Sequence, residues 1–207
     1  KILYGLKAAG GFNDEVAVVY AVIMTLVASK KSNLKFEKLI INVIDNANES
    51  GINSIDNYFI NQNIDLKEIK LKLDYENSRK VSYIHRIFNQ LFYGPKLYEE
   101  IFDEKSQFSE KPLIDLDNIV LDDNLMSKLK TRFGNKISTV TGRGNFAFSC
   151  SMKNFLNNFD MKNSVFLEDR SLNLAKPNPK SLIESISGIN SKCSLYIGDS
   201  MEDLMMV

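Results

Sequence analysis

The sequence is poor in the residues that form cross-links and many metal sites. Its 207 residues include only two cysteines, Cys150 and Cys193, and a single histidine, His85. The cysteines are far apart and form no Cys-x-x-Cys pair, so neither a disulfide framework nor a thiolate metal site is expected, and a reducing compartment is indicated. A zinc centre or a Ser-His or Cys-His catalytic pair would depend on that one imidazole. Carboxylates are therefore the expected ligands of any metal.

The chain also lacks a long apolar run and an excess of either charge. The longest apolar run, residues 16–28, is well short of the roughly 20 residues needed to cross a bilayer. Acidic rather than basic residues precede it, which argues against a secretory signal. Lys and Arg total 26, as do Asp and Glu, and zero net charge disfavours non-specific binding to nucleic acid. We predict a cytoplasmic protein that binds neither nucleic acid nor membranes.

Residues 1–112 are predicted to form a helical domain. The run 16–28 is interpreted as a buried helix, with acid before it and lysines after it, as the helix dipole favours. Apolar residues at helical spacing predict four more helices, at residues 34–44, 65–73, 81–92 and 96–103. Gly94 and Pro95 separate the last two. The polar stretch 104–112 has no apolar period and is expected to end the domain.

Residues 113–207 show a different pattern, in which short apolar runs alternate with helices. An amphipathic helix is predicted over residues 121–133 and ends at Gly134. Three strands are then predicted, at residues 136–141, 164–167 and 194–197. Two helices, at residues 145–159 and 179–187, connect them. Such alternation predicts right-handed crossovers and a parallel sheet covered on both faces. The expected fold class is therefore a three-layer α/β core with a preceding helical domain.

Candidate functional residues follow the predicted strands. In an open α/β sheet, ligands collect beyond the carboxyl ends of the strands. The residues expected there are Thr141, Gly142 and Arg143, then Glu168 and Asp169, then Lys176, and finally Asp199, Ser200 and Asp203. Neighbouring carboxylates repel unless a cation lies between them, and Mg²⁺ prefers carboxylate and phosphate oxygens. A hydroxyl, backbone N–H groups and a lysine can donate to a phosphoryl group. This pattern predicts phosphoryl chemistry with Mg²⁺.

Three of these segments closely resemble motifs of the haloacid dehalogenase-like (HAD) hydrolase superfamily. The segments are Thr141-Gly142-Arg143, Lys176-Pro177-Asn178-Pro179 and Tyr196-Ile197-Gly198-Asp199-Ser200-Met201-Glu202-Asp203, similar to its second, third and fourth motifs in order and spacing. The resemblance implies a HAD-like core over residues 113–207 and a helical cap over residues 1–112. Residues 6–13 are similar to a stretch of the cap in one branch of the superfamily.

The resemblance also implies a role for each matching residue. Thr141, with Gly142 and Arg143, would bind the phosphoryl oxygens, and Lys176 would neutralise charge on the nucleophile and the phosphate. Asp199 would bind Mg²⁺, and Asp203 would support the metal or Lys176. Arg143 could equally pair with a neighbouring acid. The implied activity is Mg²⁺-dependent hydrolysis of a small phosphorylated metabolite through an aspartyl-phosphate, although dehalogenases, phosphonatases and phosphomutases share this core.

The superfamily's first motif, the Asp-x-Asp that supplies the nucleophile, has no convincing copy in the sequence. Asp115-Leu116-Asp117 matches the letters, but Pro112 precedes it in a stretch that makes a poor central strand, so we interpret it as linker. We expect residues to be missing at both ends, with the motif before Lys1. The alternative is a catalytically inactive binding or interaction module that retains the fold. A phosphate-accepting signalling domain is a third possibility, disfavoured by the helical insert.

Overall fold

A computed structural model describes residues 1–12, 14–74 and 82–207. Asn13 and Val81, which border predicted helices, lie outside the described residues. The helices are α1 Ile2–Ala8, α2 Glu15–Ser32, α3 Phe36–Asn46, α4 Ile52–Asn61, α5 Lys67–Leu73, α6 Tyr83–Phe102, α7 Asp123–Phe133, α8 Asn145–Ser151, α9 Lys180–Ile189 and α10 Met201–Met206. The strands are β1 Val140–Thr141 and β2 Val165–Phe166.

The expected three-layer α/β fold is wrong. Helix accounts for 62% of the described chain, and the strands there form a sheet of only two. They pair in parallel, with Val140 opposite Val165 and Thr141 opposite Phe166. The prediction was correct about the presence and direction of these two strands, but the sheet core that it required does not form.

The third predicted strand, residues 194–197, shows why the sheet is incomplete. The side chains of Leu195 and Ile197 are 71% and 78% exposed, whereas Tyr196 packs on an apolar cluster. This alternation is typical of a strand, but the segment forms no strand ladder. A segment joins a sheet only when its backbone N–H and C=O groups pair with those of a neighbouring strand. The alternation of side chains therefore does not suffice to build the sheet.

The chain divides into two compact units. One, the helical unit, comprises Lys1–Glu110 with Gly198–Met205, and the other, the strand unit, comprises Lys111–Ile197 with Met206–Val207. In the strand unit, Val140, Val165 and Leu182 belong to one buried apolar cluster. Each unit thus has a core of its own.

Helix α2 is central to the core of the helical unit. Asp14 caps it by accepting a hydrogen bond from the Val16 backbone N–H at 2.8 Å, which satisfies one of the unpaired N–H groups of the first turn. Met24 and Ala28 on α2 are fully buried and pack in one cluster with Val43 of α3 and Phe59 of α4. The buried helix predicted from the apolar run is confirmed. None of the helices in the described ranges is long and apolar enough to cross a membrane.

Glycines mark the ends of several helical segments. Gly94 lies within α6 with non-helical angles, φ 68° and ψ 175°, so the predicted break at Gly94 and Pro95 is confirmed as a kink. Gly134 ends α7 with φ +60°, again as predicted. Gly11 and Gly51, both with positive φ, bring two backbone turns into close contact. Glycine is required there because a Cβ would collide with the opposite backbone.

Candidate functional site

The strand unit contains a strand, a glycine-rich turn and a helix in succession. β1 ends at Thr141, residues 142–144 form the turn, and α8 begins at Asn145. Because β1 and β2 are parallel, Glu168 and Asp169, which follow β2, lie at the same edge as Thr141. Hydroxyl, glycine and carboxylate groups therefore meet beyond the carboxyl ends of two strands, which is the usual ligand position in parallel sheets.

Two carboxylates bind the N-terminus of α8. The Gly144 backbone N–H donates to Glu168 Oε2 and the Asn145 backbone N–H donates to Asp169 Oδ2, each at 2.8 Å. A Cβ on Gly144 would lie 3.0 Å from an oxygen of each carboxylate, so glycine permits this close approach. The N–H groups at the start of a helix attract anions. Here the chain's own carboxylates occupy them, and an external anion would have to compete.

The Arg143 guanidinium forms a bidentate ion pair with Asp117. Its Nη2 donates to Asp117 Oδ1 at 2.9 Å, and its Nη1 donates to Asp117 Oδ2 and to Ser151 Oγ. Ser151 in turn donates from its Oγ to Asp117 Oδ2 at 2.6 Å. The Arg143 hydrogen bonds, followed by that of Ser151, hold the pKa of Asp117 below its usual range, against the opposing effect of burial. Pairing with a neighbouring acid is thus the observed role of Arg143.

We expect the Asp117–Arg143 pair to make the strand unit less stable in acid. A carboxyl whose pKa is lowered by folding contributes stability above its unfolded pKa, about 3.9, and loses it as the pH falls through its folded pKa. Asp117→Asn should therefore cost about 1 kcal/mol at neutral pH and almost nothing in strong acid. Thermal unfolding of both proteins at about pH 7 and about pH 2 measures this. An equal difference at both values would contradict an ionic role for Asp117.

Thr141 and Lys176 lie in the same unit. Thr141 is half-buried, and its Oγ1 accepts a hydrogen bond from the Arg143 backbone N–H at 3.2 Å. Its hydroxyl hydrogen can still donate to a ligand. Lys176 is half-buried in the loop before α9 and precedes Pro177 through a cis peptide bond. Asn178 shapes the end of this loop, because its Oδ1 accepts from the Lys180 backbone N–H at 3.0 Å.

Asp199 and Asp203 belong to the helical unit, where Asp203 has a capping role. Asp203 Oδ2 accepts from the backbone N–H groups of Asp199 and Ser200, at 3.2 and 3.1 Å, and from Ser200 Oγ at 2.7 Å. Ser200 Oγ also accepts from the Asp203 backbone N–H at 3.2 Å. This reciprocal Ser-x-x-Asp arrangement is a capping box at the start of α10. Asp203 is only 5% exposed, whereas Asp199 is exposed.

These surroundings give no support to the magnesium site that the resemblance implies at Asp199 and Asp203. Three donors already bind Asp203 Oδ2 in the capping box. Within the described ranges, His, Cys, Asp and Glu side chains form no group of three or more that could hold a metal. Magnesium therefore remains an implication of the motif resemblance alone.

Sequence reasoning placed some of the site residues but missed their partners. Thr141 ends β1, Gly142 and Arg143 follow it in the turn, and Lys176 is in the same unit. The sequence places Asp117 in a linker and does not single out Ser151, yet both bind Arg143. Asp117 lies 26 positions from Arg143 in the sequence, so no local sequence pattern indicates that the two side chains meet.

Comparisons with known proteins give no independent assignment. No protein-family profile matches the chain, and neither the curated proteins nor the solved structures contain a significant match to it.

Proposed function

We propose that this chain carries the phosphoryl-binding part of a cytoplasmic phosphatase that acts on a small phosphorylated metabolite. The observation that supports the proposal is the parallel pairing of β1 and β2, since it brings the Thr141 turn and the Glu168–Asp169 pair to one edge of the strands. The motif resemblance adds Lys176, in the same unit.

Each of these groups has a role that its own chemistry allows. The Thr141 oxygen already accepts from the Arg143 N–H, so its hydrogen is the part free to donate to a phosphoryl oxygen. The Lys176 ammonium would offset the negative charge of the phosphate. In the implied reaction an aspartate attacks phosphorus, the bond to the leaving oxygen breaks and that oxygen takes a proton. Water then cleaves the acyl phosphate and releases inorganic phosphate.

The attacking aspartate has one candidate in this chain, Asp115. It is exposed and belongs to the 3-10 helix Leu113–Leu116 rather than following a strand. Its neighbour Asp117 is bound by Arg143. The geometry therefore supports phosphate binding more directly than it supports the chemical step.

A specific observation favours a second candidate, a binding module without catalysis. The chain itself satisfies Arg143, the first N–H groups of α8 and Asp203. To act on a reacting phosphate these groups would first have to exchange their partners, and Asp115, the candidate nucleophile, lies in a 3-10 helix and does not follow a strand.

Turnover of 4-nitrophenyl phosphate in the presence of Mg²⁺ separates the two candidates. For a phosphatase we expect measurable turnover that chelation of the metal removes. Lys176→Ala and Thr141→Val should each lower kcat/KM about a hundredfold or more, the usual effect of removing a group that stabilises the transition state.

Lys180→Ala is the matched control, because Lys180 is an exposed lysine at the start of α9, four residues beyond Lys176. Its turnover should equal that of the unchanged protein. Absence of turnover with binding of inorganic phosphate that is weakened by Lys176→Ala would overturn the phosphatase and support the binding module. Absence of both turnover and phosphate binding would overturn both candidates.

A further inference from the structure

The helical unit has a polar groove unrelated to the phosphoryl motifs. Helices α3 and α4, joined by a short loop, each present one row of polar side chains to it. Asn42 and Asn46 are one turn apart on α3, while Asn57 and Asn61 are one turn apart on α4. Residues four apart lie on one face of a helix. The groove between the rows has a volume of about 500 Å³, within the usual range for small-molecule sites.

Internal hydrogen bonds give the groove a fixed frame. Asn48 Oδ1 accepts from the backbone N–H and the hydroxyl of Ser50, at 3.0 and 2.7 Å. Ser54 Oγ donates to the Gly51 carbonyl at 2.6 Å and accepts from the Asn48 backbone N–H at 3.3 Å. These bonds tie the connecting loop to the first turn of α4. The loop between the two rows of amides is therefore held by its own hydrogen bonds.

The remaining amides of the groove are not used by the fold. The side chains of Asn42, Asn57, Asn61 and Gln62 line it, and within the described chain none of them makes a hydrogen bond. Each can donate and accept at once. Tyr58 adds an aromatic ring, which packs edge-on against Phe59 at a centroid distance of 5.3 Å. The groove thus offers several paired donors and acceptors and one aromatic side chain.

We propose that this groove binds a neutral saccharide. No charged side chain is among the described residues that line it, so it offers no cation to a phosphate or carboxylate and no anion to an amine. A sugar hydroxyl both donates and accepts, as a side-chain amide does, and the C–H face of a pyranose can pack on an aromatic ring. An array of four amides and one tyrosine therefore matches a sugar better than it matches an ion or an apolar molecule.

Titration with glucose, maltose and N-acetylglucosamine, followed through the side-chain amide resonances of the ¹⁵N-labelled chain, tests the proposal. At least one of these sugars should give saturable shifts at Asn57, Asn61 and Gln62, with a dissociation constant of about 1 mM or lower. Asn57→Ala should weaken that binding about five- to tenfold, because it removes direct hydrogen bonds to the ligand.

Asn53→Ala provides the matched control, since Asn53 is also an exposed asparagine of α4 but does not line the groove. It should leave sugar affinity unchanged. The proposal is overturned if none of the three sugars shifts these resonances, if Asn57→Ala and Asn53→Ala bind equally well, or if adenosine, included as a probe of another class, is the one compound that binds. The chemical shifts and the sugar affinities are measured without any phosphatase assay, so this test is independent of the proposed phosphatase activity.

Discussion

Replacing Phe59 by alanine is expected to destabilise the helical unit by about 3–5 kcal/mol, the usual cost of removing a fully buried aromatic ring. Phe59 is only 1% exposed and packs in the core cluster with residues of α2 and α3. The substitution removes apolar surface from the core and leaves a cavity that the packed helices can only partly close. A loss of this size is a large fraction of the stability of an ordinary domain.

Hydrogen exchange of the α2 and α4 amides measures this loss within the helical unit, whatever the other unit does. Ile60→Ala is the matched control, because Ile60 is the next residue of α4 and is 67% exposed. It should change stability by no more than about 0.5 kcal/mol. Similar protection in the two variants would contradict the burial of Phe59.

Gly11→Ala should destabilise the same unit by about 2–5 kcal/mol, the sum of a left-handed backbone penalty and a steric one. The φ angle of Gly11 is +70°, and a Cβ there would lie 2.5 Å from the Gly51 backbone N and 2.7 Å from the Glu49 carbonyl oxygen. The colliding atoms are backbone atoms, which cannot rotate away as the end of a side chain can. The two turns would have to separate.

Gly134→Ala distinguishes the two contributions to that cost. Gly134 has φ +60°, but no atom lies within 4 Å of the position a Cβ would take. It should therefore show only the backbone penalty, about 1–2 kcal/mol. Urea unfolding of each variant gives the comparison. If Gly11→Ala lowers the free energy of unfolding no more than Gly134→Ala does, the result would contradict the close approach of the Gly11 and Gly51 turns.

The helices that the sequence predicts well are those with local signals at both ends. In α2, an acidic start, an apolar centre and a basic end identify the helix before any contact is known. In α7, the amphipathic pattern and Gly134 do the same. These signals act within a turn or two of the chain, so sequence neighbours contain most of the information.

Helix α4 is not among the predicted helices because it lacks such local signals at its ends. Its buried residues Ser54, Ile55 and Phe59 are few, and most of its outward positions are polar and uncharged. Only the packing of α3 against α4 brings the two rows of amides to one groove.

The predicted site was partly recoverable from the motifs and partly not. The order Thr141, Gly142, Arg143 in a turn after a strand follows from the sequence, and the structure has that turn. The pairing of Arg143 with Asp117 does not follow, since 26 positions separate them and several acids could have served. The Ser-x-x-Asp spacing is itself the signal of the capping role of Asp203, whereas the motif resemblance implies a role beside a metal.

The sequence by itself determined the helical character of most described segments of residues 1–112, the caps of the strongest helices and the parallel direction of β1 and β2. These properties depend on local periodicity and on short connections, which neighbouring residues encode. The tertiary structure alone decided that residues 194–197 form no strand, that Arg143 is held by Asp117 and that the amides of α3 and α4 share a groove. Each of these depends on which distant groups are available to satisfy a backbone or a side chain, and contacts of that kind leave no periodic trace in the chain.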